Sequence, residues 1–242
     1  AILTERERKQ STKRHKSDYV DATRVGKVML TKSEQTLPAR ESIATEGELR
    51  TTQELDLLLM ERRDLVKGKT ALKNQLHGLL HQYYGDHYAD QFTKPFHRDA
   101  IAWYKTDLAK EKGSKMILSV SIGRRLKRLV LIEEQIIAIS KEVASVGEQS
   151  PAVLALAQEI HGCGFITAAS IMAELTTINR FLSKDKLAMY AGVAPTEHSS
   201  GRKEKLHTNP FGNRRLNRAL HVIALSQIAC KGDDRGRLYF QK

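Results

Sequence analysis

The chain is poor in the residues that announce the commoner functional classes. It has only two cysteines, Cys163 and Cys230, in 242 residues. Two thiols make neither a disulfide framework nor a metal-ligand set, so a reducing compartment and small core thiols are expected. No apolar run approaches the ~18 residues that a membrane span needs. The first residues, AILTERERKQ, lack the apolar centre of a signal peptide. There is no Rossmann glycine fingerprint, Walker loop, HExxH or zinc-type cysteine pairing, so each of those chemistries loses its usual carrier. The first residue is Ala and not Met, consistent with processing or with a fragment.

Positive charge is abundant. Lys and Arg number 40 against 28 Asp and Glu, a net charge of +12. Such a surplus favours a polyanionic partner. With 40% hydrophobic residues, the chain can also bury a real core. Its length fits one large or two small domains.

The pattern along the chain is predominantly helical. Residues 1–17 are polar and end in a basic run that includes Lys13, Arg14 and Lys16. SDYVDATRVGKVML then predicts a short helix that Ser17 can cap, and residues 31–46, with Pro38, read as a linker. Over 47–84, leucines recur at three- and four-residue steps without proline, which predicts a long amphipathic helix. A second long helix is predicted over about 117–146. The two can pair as an antiparallel hairpin or with another subunit. Between them lie Tyr83, Tyr84, Tyr88, Phe92, Phe96, Trp103 and Tyr104. They read as a packing plug, or alternatively as a surface on which bases stack. From 151 onward, helices are expected over 152–160, 166–175, 183–191 and 214–230, with 192–211 loop-like.

Four features carry candidate chemistry. In IHGCGFITAASIMAEL, Gly162 and Gly164 allow a tight turn into a helix whose first amides are free donors. These amides sit at the helix's positive end and can take a phosphate, with Thr167 adding a hydroxyl. The element resembles the helix-hairpin-helix of DNA-binding proteins, with His161 where proline is usual; an ordinary glycine-turn hairpin is the alternative. The last helix places Leu216, Leu220 and Ile223 on one face and Arg214, Arg218 and His221 on another, flanked by Arg215. The last 42 residues hold ten Lys or Arg against three Asp or Glu, a local excess that points to phosphates or to a merely solvated face. Ser199 and Ser200 precede Gly201, beside Arg202, Lys203 and Lys205, whose charges could offset a phosphodiester under attack. A serine needs a base or metal to take its proton, and no sequence neighbour supplies one. Finally, Asp18 and Asp21 share a helical face, and two carboxylates at that spacing can hold Mg2+ or simply occupy a helix surface.

In this order, KSDYVDA, LKNQLHGLL, IHGCGFITAASIMAEL, YAGVAPTEHSSG and GNRRLNRAL resemble the IS110-type (IS110/IS116/IS902) insertion-sequence transposases over roughly residues 13–242. That resemblance implies three regions. Residues 1–45 would be the C-terminal remnant of a RuvC/RNase H-like α/β domain. Residues 46–148 would be a coiled-coil arm with its aromatic connector. Residues 149–242 would be a helical C-terminal domain with a helix-hairpin-helix-like turn, serine loop and basic helix. It further implies that Asp18 and Asp21 are the last two of four Mg2+-binding acids, and that Ser200, or Ser199 one register earlier, is the nucleophile of a DNA recombinase. Implied partners are DNA, a structured guide RNA encoded by the element, and further copies of the chain in a prokaryotic cytoplasm at the nucleoid. The strands bearing the first two acids would precede Asp18, where only 17 residues stand. The expectation is therefore a transposase truncated at both ends, with an incomplete metal site. A non-catalytic DNA-binding remnant is the alternative.

Overall fold

The computed structural model describes residues 37–90, 92–194, 196–200, 203–207, 212–229 and 238. The helix expected over SDYVDATRVGKVML lies outside them, as do Lys13, Arg14, Lys16, Asp18, Asp21, Arg202 and Cys230. The described residues are mainly helical, as the periodicity predicts. They fall into two compact units, one of Leu57–Val146 and one of the described residues on either side of it. No described helix is long and apolar enough to cross a membrane.

The first of these units is a hairpin of long helices. Helix α1 spans Glu46–Tyr84, α2 Arg98–Leu108 and α3 Met116–Gly147. Leu72, Leu76 and Leu80 of α1 meet Ile122, Leu126, Leu129, Ile132 and Ile136 of α3 in a single buried cluster. Steps of three and four keep these residues on one helical stripe. The pairing within the chain is antiparallel: Arg62 donates to the Ser140 hydroxyl at 2.9 Å, and Lys73 meets Glu133 at 3.5 Å. The aromatic residues close the far end as a packing plug. Trp103 packs on Tyr84, Phe92 and Tyr104 with centroids 5.4–5.7 Å apart. Tyr104 is fully buried.

In the other unit, α4 spans Pro151–Glu159, α5 Phe165–Leu175, α6 Lys184–Ala191 and α7 Arg214–Ala229. Proline in the first turn of α4, with Ser150 accepting from the Val153 amide, starts that helix. Helix α5 is the core of the unit: Ala168, Ala169, Ile171, Met172, Ala173 and Leu175 are all buried. Its last carbonyls are capped by two arginines from elsewhere. Arg40 donates to the carbonyls of Ala173 and Glu174 at 3.4 and 3.1 Å, and Arg180 to that of Leu175 at 3.2 Å. Positive charge at this negative helix end is favourable. Arg180 also holds the Pro38 carbonyl at 3.2 Å, so part of the expected linker is tied down.

The stretch expected to be loop-like over 192–211 contains an antiparallel hairpin, β1 Thr196–Ser200 and β2 Lys203–His207. The strands TEHSS and KEKLH have little apolar alternation, which is why periodicity misses them. The signal present is a glycine at the first of two residues between paired positions Ser200 and Lys203.

Candidate nucleic-acid interface and serine hairpin

The glycine turn between α4 and α5 is clamped onto α7. Gly162 has φ +81°, the left-handed region that glycine enters without steric cost. A Cβ placed there would stand 2.9 Å from the Ser226 Cβ and 3.2 Å from the Ile223 carbonyl. Gln227 of α7 donates to the His161 carbonyl at 2.9 Å. The turn and the basic helix are therefore one structural element. Gly164 caps α5 without a side-chain acceptor, and its carbonyl receives the amides of Thr167 and Ala168. Helix geometry gives the amides of Phe165 and Ile166 no intrahelical acceptor. Thr167 is half-buried one turn in. Beside the turn, Cys163 is buried, and burial pushes its thiol up from the ordinary value. That is the behaviour of a small core residue.

In helix α7 Leu216 and Ile223 are buried as its sequence predicts, with Ala219 beside them; Leu220 is only half-buried, and Arg214, Arg218 and His221 are exposed. Arg215 is differently placed. It meets Asp56 at 2.8 Å and Glu174 at 3.2 Å, so its guanidinium is already held by two carboxylates.

The serine hairpin is joined to α6 and α7 through a pinched neck. Gly192 ends α6 in the left-handed conformation, with φ +72°. A Cβ on Gly212 would fall 2.1 Å from the Gly192 Cα, so the two backbones touch where side chains cannot fit. The Asn213 amide donates to the Tyr190 carbonyl at 2.7 Å, and the Asn217 side chain to the Ala191 carbonyl at 3.2 Å. From this neck the backbone carries Ser199 and Ser200 to the end of β1, with Ser200 opposite Lys203 and His198 opposite Lys205.

Sequence reasoning missed the polar cluster below the neck. Glu174, the one charged residue of α5, is 9% exposed. It accepts from the Asn213 amide group at 2.7 Å and from Arg215 at 3.2 Å. Asn213 in turn caps α7, receiving the amides of Arg215 and Leu216 at 3.0 Å each. A lone acid in FITAASIMAEL is the signal that could have found it, since a buried carboxylate requires partners. Among the described residues no group of three or more His, Cys, Asp or Glu is arranged to hold a metal ion. The acids expected to hold Mg2+, Asp18 and Asp21, lie outside those residues.

Turn, hairpin and basic helix all fall within residues 154–241, which match the family model described as Transposase IS116/IS110/IS902 family. In that segment the chain resembles the IS110 transposase family. Over 164 residues, 66% of the chain, it is 31% identical to 43% of the "Transposase for insertion sequence element IS1111A" of Coxiella burnetii. Over 127 residues, 52% of the chain, it is 31% identical to 30% of the "Insertion element IS110 uncharacterized 43.6 kDa protein" of Streptomyces coelicolor. The matched part thus spans less than half the length of either curated relative.

Proposed function

We propose that this chain belongs to the IS110 family and serves DNA transposition, with Ser200 as nucleophile and the glycine turn and basic helix holding the DNA backbone. One observation carries the reading. The family-matched segment contains turn, hairpin and basic helix, with the turn clamped to α7 and the hairpin rooted at the start of α7. A serine placed at a hairpin end, in a segment rich in Lys and Arg, suits attack on a phosphate diester whose charge is offset by cations. In the proposed step the Ser200 oxygen bonds to phosphorus and one phosphorus–oxygen bond of the DNA strand breaks. The departing DNA oxygen takes up the serine's proton. Phosphates would be held by the first amides of α5, by Thr167 and by Arg214, Arg218, Lys203 and Lys205, with Arg202 between the strands. Arg215, paired with two carboxylates, acts first as a structural tie for α7 in this reading. The turn is a helix-hairpin-helix-like element, and residues 1–45 belong to a RuvC-like region. There Asp18 and Asp21 hold Mg2+, which when bound steadies the reacting oxygens. A structured guide RNA and further copies of the chain complete the assembly.

The test is covalent trapping. The chain is incubated with Mg2+, DNA carrying the ends of its element and the element's RNA, then denatured and weighed. A protein–DNA adduct is expected, absent in Ser200→Ala and retained in Ser199→Ala. An adduct that survives Ser200→Ala and disappears in Ser199→Ala moves the nucleophile by one residue. DNA binding with no adduct under any condition overturns the serine chemistry and leaves a non-catalytic DNA-binding module.

A further inference from the structure

The positive charge of the helical arm is confined to its middle. Residues 65–85 hold three lysines and residues 112–132 hold six Lys or Arg, with no Asp or Glu in either stretch. The remainder of Leu57–Val146 carries seven Lys or Arg against ten Asp or Glu, so it is net negative. Of the cations on α1, Lys67 pairs with Asp64, and Lys69 and Lys73 share Glu133. The cluster on α3 has no such compensation. Arg124, Lys127 and Arg128 are exposed, and Arg125 is half-buried. None of the four has an ion-pair partner among the described residues. Arg125 is held by the Ser121 hydroxyl at 2.5 Å and by the Ser121 carbonyl at 3.3 Å. Ser121, Arg124, Arg125 and Arg128 follow the i, i+3, i+4, i+7 spacing of one helix face, and with Leu72 and Gln75 of α1 they line a cleft. Like charges at three- and four-residue steps repel one another. Folding alone therefore disfavours this arrangement, and an external anion would reverse the sign.

We infer that this face of α3 is a second nucleic-acid contact, which grips the phosphate backbone of duplex DNA. The inference rests on the reading that DNA is the chain's partner, and it is independent of the serine chemistry. Four cations over five residues occupy about 7 Å of helix axis, opposite roughly two to three phosphates of one strand at ~3.4 Å spacing. A duplex fits better than a single strand. Single-stranded recognition uses aromatic rings as stacking platforms, and α3 has no Phe, Tyr, Trp or His. The rings at the end of the arm pack on one another. Contacts of this kind position a duplex and read no sequence.

The experiment measures affinity for a 5′-labelled duplex of ~30 base pairs by anisotropy over a range of NaCl concentrations. It compares the unaltered chain, R124Q/K127Q/R128Q, and the control K94Q/K105Q/K110Q, which removes equal charge from exposed positions outside the basic stretch. Because all six side chains are exposed, thermal melts should show both variants folded. The arm variant is expected to bind about tenfold or more weakly at ~0.1 M salt, with a log–log salt slope shallower by about two to three, while the control changes neither. An unchanged slope in the arm variant overturns the inference, as does an equal loss in the control. Loss confined to duplex RNA, with DNA binding intact, overturns the assignment to DNA. No binding by the unaltered chain overturns both this inference and the DNA partner proposed above. Loss of the trapped adduct with normal salt dependence strikes only the serine chemistry.

Discussion

Thr176 has φ +66° and ψ −59°, the only positive φ at a non-glycine residue among those described. It is β-branched, 2% exposed, and its hydroxyl is buried without a partner. Both features cost stability: the backbone ~1–3 kcal/mol and the unpaired hydroxyl ~1–3 kcal/mol. Thr176→Val keeps the shape and removes the unpaired group. It is expected to leave the urea midpoint unchanged or raise stability by up to about 2 kcal/mol. A loss of more than about 1 kcal/mol would mean that the hydroxyl has a partner after all. Two residues earlier, Glu174 answers to Asn213 and Arg215. Glu174→Ala leaves those groups without their buried acceptor and is expected to cost about 2–4 kcal/mol. Asp56, which also meets Arg215, has a side chain 46% exposed, and Asp56→Ala is expected to cost under about 1 kcal/mol. Equal costs in denaturant titrations would show that Glu174 is not the centre of the cluster.

At the scale of elements, the neck of the hairpin is the closest backbone approach at any of the described glycines. Gly212→Ala would set a methyl carbon against backbone 2.1 Å away. It is expected to lower the melting temperature and abolish adduct formation together. A variant that melts normally would mean that the neck opens at little cost. The long helices were legible because leucine steps of three and four leave no other period to read. The glycine turn was legible too, since Gly162 is needed where φ is positive and α7 crowds any side chain. The hairpin over 196–207 was not, because TEHSS and KEKLH carry little of the apolar alternation by which a strand is read. Nor does sequence separate Arg215 from its neighbours on α7. Its commitment depends on Asp56 and Glu174, 159 and 41 residues away along the chain. The acidic pair Asp18 and Asp21 rests on spacing and family likeness alone.

For the whole molecule, alkaline pH is the informative stress. Burial, helped by Glu111, pushes the Tyr83 phenol up from its ordinary 10.0; burial and then Asp107 do the same to Tyr84, and burial to Tyr104. The unfolded chain therefore releases these protons first. Stability present below pH 10 is lost as pH rises above it. Tyrosinate absorbance is expected to appear together with loss of helical circular dichroism. Phenols titrating at pH 10 in a chain that stays helical would show that the plug is open to solvent.

Because the chain leaves and re-enters its scaffold where Gly192 touches Gly212, the segment between them behaves as a cassette. The free-energy cost of closing such an excursion grows only slowly with its length. A change in the length of that segment therefore need not move its two ends apart. Descendants of one scaffold can in this way diverge in that segment while keeping the helices at its two ends.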